Sequence, residues 1–129
     1  MKIAIDTNAY TAFLSGDQSV RTKLTYATDI LLPTIVLGEL YYGFYKGTRL
    51  HDNLAFLTRF MRDKRVTLGE IDENVARTYG QVQVKLRKVG KPAPSNDMWI
   101  AAICIELGYT LVARDKHYDN VEGLRLEKF

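Results

Sequence analysis

Four acidic residues, Asp6, Glu39, Asp97 and Asp115, each stand where a short apolar run ends or within an apolar helix, in IAIDTNAY, TIVLGELYYG, PSNDMWIAAI and TLVARDKHY. Acids so far apart in sequence meet only if the runs that carry them lie side by side. In an open parallel sheet they meet in the crevice beyond the carboxyl ends of the strands. The pattern between them agrees. KIAI at 2–5, DILL at 29–32, RVTL at 65–68 and TLVA at 110–113 read as strands, and LRLEKF alternates as a final edge strand. Helical stretches lie between them: 8–15 up to Gly16, one capped by Asp17 or Ser19 to about Ala27, 34–46 opened by Thr34 and stopped by Gly47, and 50–62. Asp72 caps a longer one to about Val89, with Val75, Tyr79, Val82 and Leu86 as its apolar stripe. After KPAPS, whose prolines exclude regular structure, Ser95 or Asn96 is expected to cap MWIAAICIEL, a helix apolar nearly all round and therefore central. Strands alternating with helices give an α/β fold, three layers with a central, mainly parallel sheet of four to five strands.

A chain of 129 residues with no repeat, low-complexity tract or linker is expected to be a single domain over 1–129. A hydrophobic fraction of 47% supplies a core without staples. The one cysteine, Cys104, cannot form an intrachain disulfide, and within WIAAICIEL its expected role is a small buried hydrophobe. That usage fits a reducing compartment. MKIAID is too short an apolar stretch for a signal peptide, and no window reaches bilayer-spanning length, so a cytoplasmic location away from membranes is expected.

The net charge of +3 comes from 18 Lys+Arg against 15 Asp+Glu, with basic clusters at Arg59, Arg62, Lys64, Arg65 and at Lys85, Arg87, Lys88, Lys91. If several acids gather in one site, the remaining surface is more basic than the total, which suits a polyanionic substrate. Each cluster alone reads equally well as a solvated helix face.

Convergent carboxylates raise one another's pKa and call for a cation, and oxygens without His or Cys suit Mg²⁺ or Mn²⁺ better than zinc. Asp6, with Thr7 and Asn8, reads both as a helix cap and as oxygen donors at a strand edge. Glu39 interrupts an apolar helix beside Leu37, Leu40, Tyr41 and Tyr42, where a carboxylate needs a cation or a donor. Asp97 falls in the first turn of the most apolar helix, where the helix dipole favours it by roughly 0.3–1 kcal/mol whatever else it does. Asp115 leaves its strand into RDKHYDN, where Asp119 competes for the same role.

Together these segments resemble the PIN domain, and within it the VapC toxins of bacterial and archaeal toxin–antitoxin pairs. The likeness runs along nearly the whole chain: Asp-Thr-Asn after the first strand, Glu within GELYYGFYKG, Asp before Met-Trp-Ile-Ala-Ala, and Leu-Val-x-x-Asp. It implies a Mg²⁺- or Mn²⁺-dependent endoribonuclease whose metal is held by Asp6, Glu39, Asp97 and Asp115. Thr7 and Asn8 would orient acids or substrate, and Arg114 and Lys116 would touch RNA. His51 and His117, the only two histidines, are expected at the surface, His117 as a phosphate contact. Where such families often carry Thr, Ser or Asn two positions before the last Asp, this chain has Ala113, which removes a supporting hydroxyl.

The resemblance also implies partners: a homodimer, silenced by a VapB-like antitoxin in a heterotetramer or larger assembly, that inhibits growth when released. Phe13, Tyr41, Tyr42, Phe44 and Tyr45 offer an aromatic groove beside Glu39 for an amphipathic antitoxin helix, or are ordinary core and shell residues. The alternative within the same fold is a catalytically inactive scaffold that binds RNA or protein. A phosphoreceiver domain fits poorly, since it wants paired acids after strand one. So does a haloacid-dehalogenase-type phosphatase, which wants an acid where Asn8 stands.

Overall fold

Each apolar run becomes a strand of one sheet in the computed structural model, which covers residues 1–129. The chain runs β1 (Lys2–Ile5), α1 (Thr7–Leu14), α2 (Gln18–Tyr26), β2 (Asp29–Pro33), α3 (Thr34–Lys46), α4 (Leu50–Arg62) and β3 (Val66–Gly69). It continues through α5 (Glu73–Lys88), α6 (Ser95–Leu107), β4 (Thr110–Val112), a 3-10 turn at Lys116–Tyr118 and β5 (Leu126–Glu127). All five strands are parallel, in the order β3-β2-β1-β4-β5, and helices cover the sheet. The chain first builds outward from β1 through β2 and β3, then returns to place β4 on the other side of β1. That reversal is a switch point, and the crevice it opens lies between the exits of β1 and β4. The register pairs Ile3 with Thr110 and Ile5 with Val112, so both strands deliver their following residues to the same edge.

Three helices start as the sequence predicts. Asp6, Asp17 and Asp72 accept from the backbone N–H groups of Ala9, Val20 and Val75 at 2.8, 3.0 and 2.9 Å. Two do not. Thr34 and Ser95 are the first helical residues rather than caps, because Pro33 and Pro94 occupy the cap positions with extended ψ of 140° and 142°. Freed from capping, the Thr34 hydroxyl donates to the Gly69 carbonyl at 3.0 Å and ties the exits of β2 and β3. Ser95 Oγ instead meets the Tyr79 hydroxyl at 2.7 Å.

The core lies between the sheet and α6. Ile3, Ala4 and Ile5 of β1 are fully buried, as are Met98, Ala101, Ala102 and Ile103 of α6. Cys104 is buried among them, as expected. Each such large apolar side chain contributes roughly 1.5–3 kcal/mol by leaving water. Gly69 sets the closest approach: a Cβ there would meet Ile103 Cγ2 at 2.9 Å and both Leu31 methyls at 3.2 Å. On α5 the inward residues are Val75, Thr78, Val82 and Leu86. Thr78, not Tyr79, takes the buried position and donates to Glu106 at 2.5 Å, while Tyr79 stacks on Trp99 with ring centroids 3.8 Å apart.

Candidate active site

Asp6 leaves β1 and at once caps α1, so its carboxyl is fixed at the crevice by local structure. It is 5% exposed. Its pKa is pushed up to about 6, chiefly by burial, with the charges of Asp97, Glu39 and Asp115 adding to the rise and the Ala9 hydrogen bond opposing it. The four acids singled out in the sequence therefore surround one crevice, although they come from β1, α3, α6 and the segment after β4.

Asp97 is the third residue of α6, where the helix N-terminus favours its charge. Its Oδ1 accepts from the Tyr118 hydroxyl at 3.3 Å, and its Oδ2 lies 2.9 Å from His117 Nδ1. Asp115 caps the 3-10 turn by accepting from His117 N at 2.9 Å, and the same oxygen lies 2.9 Å from His117 Nδ1. The imidazole thus bridges two carboxylates. Glu39, half-buried on α3, receives the Thr7 hydroxyl at 2.7 Å and the Asn96 amide at 3.4 Å. Those two donors answer the requirement that its burial imposes.

The surrounding residues divide. Thr7 positions Glu39, whereas Asn8 is exposed on the first turn of α1. Arg114 turns its guanidinium over the Phe129 ring, 5.3 Å from the centroid, and Lys116 is exposed. Asp119 pairs with Lys128 at 2.5 Å and stands apart from the cluster, so Asp115 is the acid that faces it. Ala113 is fully buried and brings no hydroxyl.

His117 is exposed, as the sequence implies, and its Nδ1 also faces Asp97 and Asp115. Tyr118, which nothing in the sequence of RDKHYDN marks out, is 2% exposed. Burial and the neighbouring acids push its hydroxyl pKa far up, keeping it a donor to Asp97. Asn96, a cap candidate by sequence, lies within α6 and donates to Glu39 instead.

No Lys or Arg forms an ion pair with any of the four acids. Donor atoms of Asp97, Asp115 and His117 lie within 4.8 Å of one another. An oxygen-rich cluster with one raised carboxyl and no Lys or Arg partner fits a divalent cation. Of the nearby aromatics, Phe44 is buried and Tyr41 half-buried, while Tyr42 and Tyr45 are 68% and 66% exposed. Arg65, in a basic cluster, is occupied structurally: it forks onto Asp63 and donates to the Leu24 and Ala27 carbonyls at 2.8 and 3.0 Å.

The PIN domain family model matches residues 3–124. The chain is 30% identical to "Ribonuclease VapC2" of Haemophilus influenzae, over 80% of this chain and 77% of that protein. It is 25% identical to the "tRNA(fMet)-specific endonuclease VapC" of Salmonella typhimurium, over 98% of this chain and 97% of that one. Among solved structures, a chain of VapBC2 from Rickettsia felis, bound to a DNA fragment from their promoter, matches with a TM-score of 0.89 and 26% identity. That match covers 100% of this chain and 99% of the other. No helix is long and apolar enough to cross a membrane.

Proposed function

The chain belongs to the PIN domain family, and from that premise we propose that it is a Mg²⁺- or Mn²⁺-dependent endoribonuclease, the VapC-type toxin of a type II toxin–antitoxin pair. The observation that carries this reading is the convergence of Asp6, Glu39, Asp97 and Asp115 on one crevice with no Lys or Arg to neutralise them. The relatives named ribonuclease and endonuclease, and the VapBC complex of like fold, support it. One domain spanning 1–129 carries the activity.

Asp6, Asp97, Asp115 and Glu39 would hold the cation directly or through water. When bound, it supplies Lewis acidity toward the scissile phosphate and its attacking water. The protein's own groups do the positioning. Thr7 and Asn96 fix both oxygens of Glu39, and Tyr118 orients Asp97 while burying the floor beneath it. Burial holds the Asp6 pKa up to about 6, and a cation in the crevice would favour its ionised form. Exposed Lys116 and Asn8 at the rim are available to the RNA backbone.

The cognate antitoxin would be VapB-like, with the exposed Tyr42 and Tyr45 beside Glu39 as part of its seat. The toxin would pair as a homodimer in the cytoplasm, join the antitoxin in a heterotetramer or larger assembly, and inhibit growth on release. Total cellular RNA incubated with the antitoxin-free chain and Mg²⁺ or Mn²⁺, beside an Asp97→Asn control, tests the reading. Discrete products that vanish with EDTA and with the variant are expected. Folded protein that cuts no RNA pool with either metal would sink it and leave a binding scaffold.

A further inference from the structure

The position of His117 goes beyond the four acids. We propose that His117 Nδ1 is itself a metal ligand beside Asp97 and Asp115, and that this nitrogen makes the site prefer Mn²⁺ to Mg²⁺. The inference rests on the metal-dependent reading above and adds to it a residue and a selectivity.

Geometry comes first. His117 Nδ1 lies 2.9 Å from Asp97 Oδ2 and 2.9 Å from Asp115 Oδ1. Neighbouring donors on a six-coordinate ion with bonds of about 2.1 Å stand roughly 3 Å apart. His117 Nδ1 therefore already keeps the spacing of an adjacent ligand to each carboxylate, and all three donor atoms fall within 4.8 Å of one another.

The ring is also placed by structure. Asp115 accepts the His117 backbone N–H, which folds the 3-10 turn back over the same carboxylate. The next residue, Tyr118, is buried and donates to Asp97 from its far end, pinning the turn to α6. A histidine serving only to meet phosphate at the surface needs neither constraint. With Nδ1 turned inward, Nε2–H is left as the ring's other polar edge on a side chain that is 43% exposed.

Donor chemistry then sets the preference. Mg²⁺ takes oxygen ligands and sheds water reluctantly, whereas imidazole suits first-row transition ions, with affinity rising from Mn²⁺ toward Co²⁺ and Ni²⁺. Carboxylates alone would leave Mg²⁺ competitive. One imidazole nitrogen in the set favours Mn²⁺.

Calorimetric titration of the intact chain with MnCl₂ and with MgCl₂, for wild type, His117→Gln and Asp97→Asn, tests both claims, together with pulsed EPR of the Mn²⁺-loaded wild type and His117→Gln. Wild type is expected to bind Mn²⁺ at least about tenfold more tightly than Mg²⁺ and to show ¹⁴N coupling from a directly bound imidazole. His117→Gln should lose that coupling and most of the Mn²⁺ preference while keeping its Mg²⁺ affinity. Mn²⁺ binding that Asp97→Asn abolishes but His117→Gln leaves unchanged, without ¹⁴N coupling, overturns the role of His117 and spares the metal-dependent reading. A wild type that binds neither ion overturns both.

Discussion

Asp6 and Asp63 stand at opposite ends of the same sheet, one at the exit of β1 and the other just ahead of β3, and their acidities are driven apart. Asp63 is lowered to about 2, first by the Arg65 side chain and then by the Arg65 backbone N–H, two residues along the chain. Asp6 is raised to about 6, by burial first and then by three acids that arrive from distant segments. At the amino end a charge is answered by its own neighbour. At the carboxyl end four charges meet with no Lys or Arg to answer them. An aspartate of the first kind is architecture, and one of the second kind is a site that waits for a cation.

The largest expected difference is in turnover. Asp6→Asn should lower RNA cleavage by more than about 100-fold, since even partners of metal ligands are commonly worth 10–100-fold, while Asp63→Asn stays within about twofold; circular dichroism checks that both fold. Next comes stability without metal. A folded pKa above the ordinary 3.8 means that Asp6 is best tolerated below pH 3.8 and destabilises progressively as pH rises through about 6. Asn still caps α1, so Asp6→Asn should gain on the order of 3 kcal/mol over wild type at pH 8 and nothing near pH 3. Urea midpoints at the two pH values measure this, and equal gains at both would break the contrast.

Smaller effects sharpen it. Thr7→Val removes the 2.7 Å bond to Glu39 and should slow cleavage about tenfold with little change in melting temperature. Asp63→Asn should show the opposite pH slope to Asp6→Asn. The stabilisation from Asp63 is present above 3.8 and lost as pH falls toward 2, and its exposure limits it to about 1 kcal/mol or less. Asp119→Asn, which breaks only the Lys128 pair, should leave cleavage within about twofold in the same RNA assay.

The layers of the fold were legible because glycine, proline and aspartate mark nearly every boundary. Asp17 and Asp72 open helices as read, Gly108 closes α6 at a φ of 75°, and α4 runs over Leu50–Arg62 as its periodicity predicts. Thr34 and Ser95 do not cap because Pro33 and Pro94 hold the cap positions, and their hydroxyls turn to partners distant in sequence, Gly69 and Tyr79. The same limit governs the site. The acids stand out as charges in apolar surroundings, whereas His117 and Tyr118 gain their places from Asp97, some twenty residues earlier in the chain. Nothing in RDKHYDN announces that contact. Asp115 and Asp119 were separable only once Lys128 claimed the second.

The strand order also dictates when the site can exist during synthesis. β1 emerges first, yet its partner on one side is β4, with Ile3 paired to Thr110. A domain dominated by such distant pairings closes late. Asp6 and Glu39 therefore leave the ribosome long before Asp97 and Asp115 can join them. On the proposed reading, a nascent chain surrounded by ribosomal and messenger RNA stays unarmed until β4 has docked, and any chain truncated ahead of β4 is harmless.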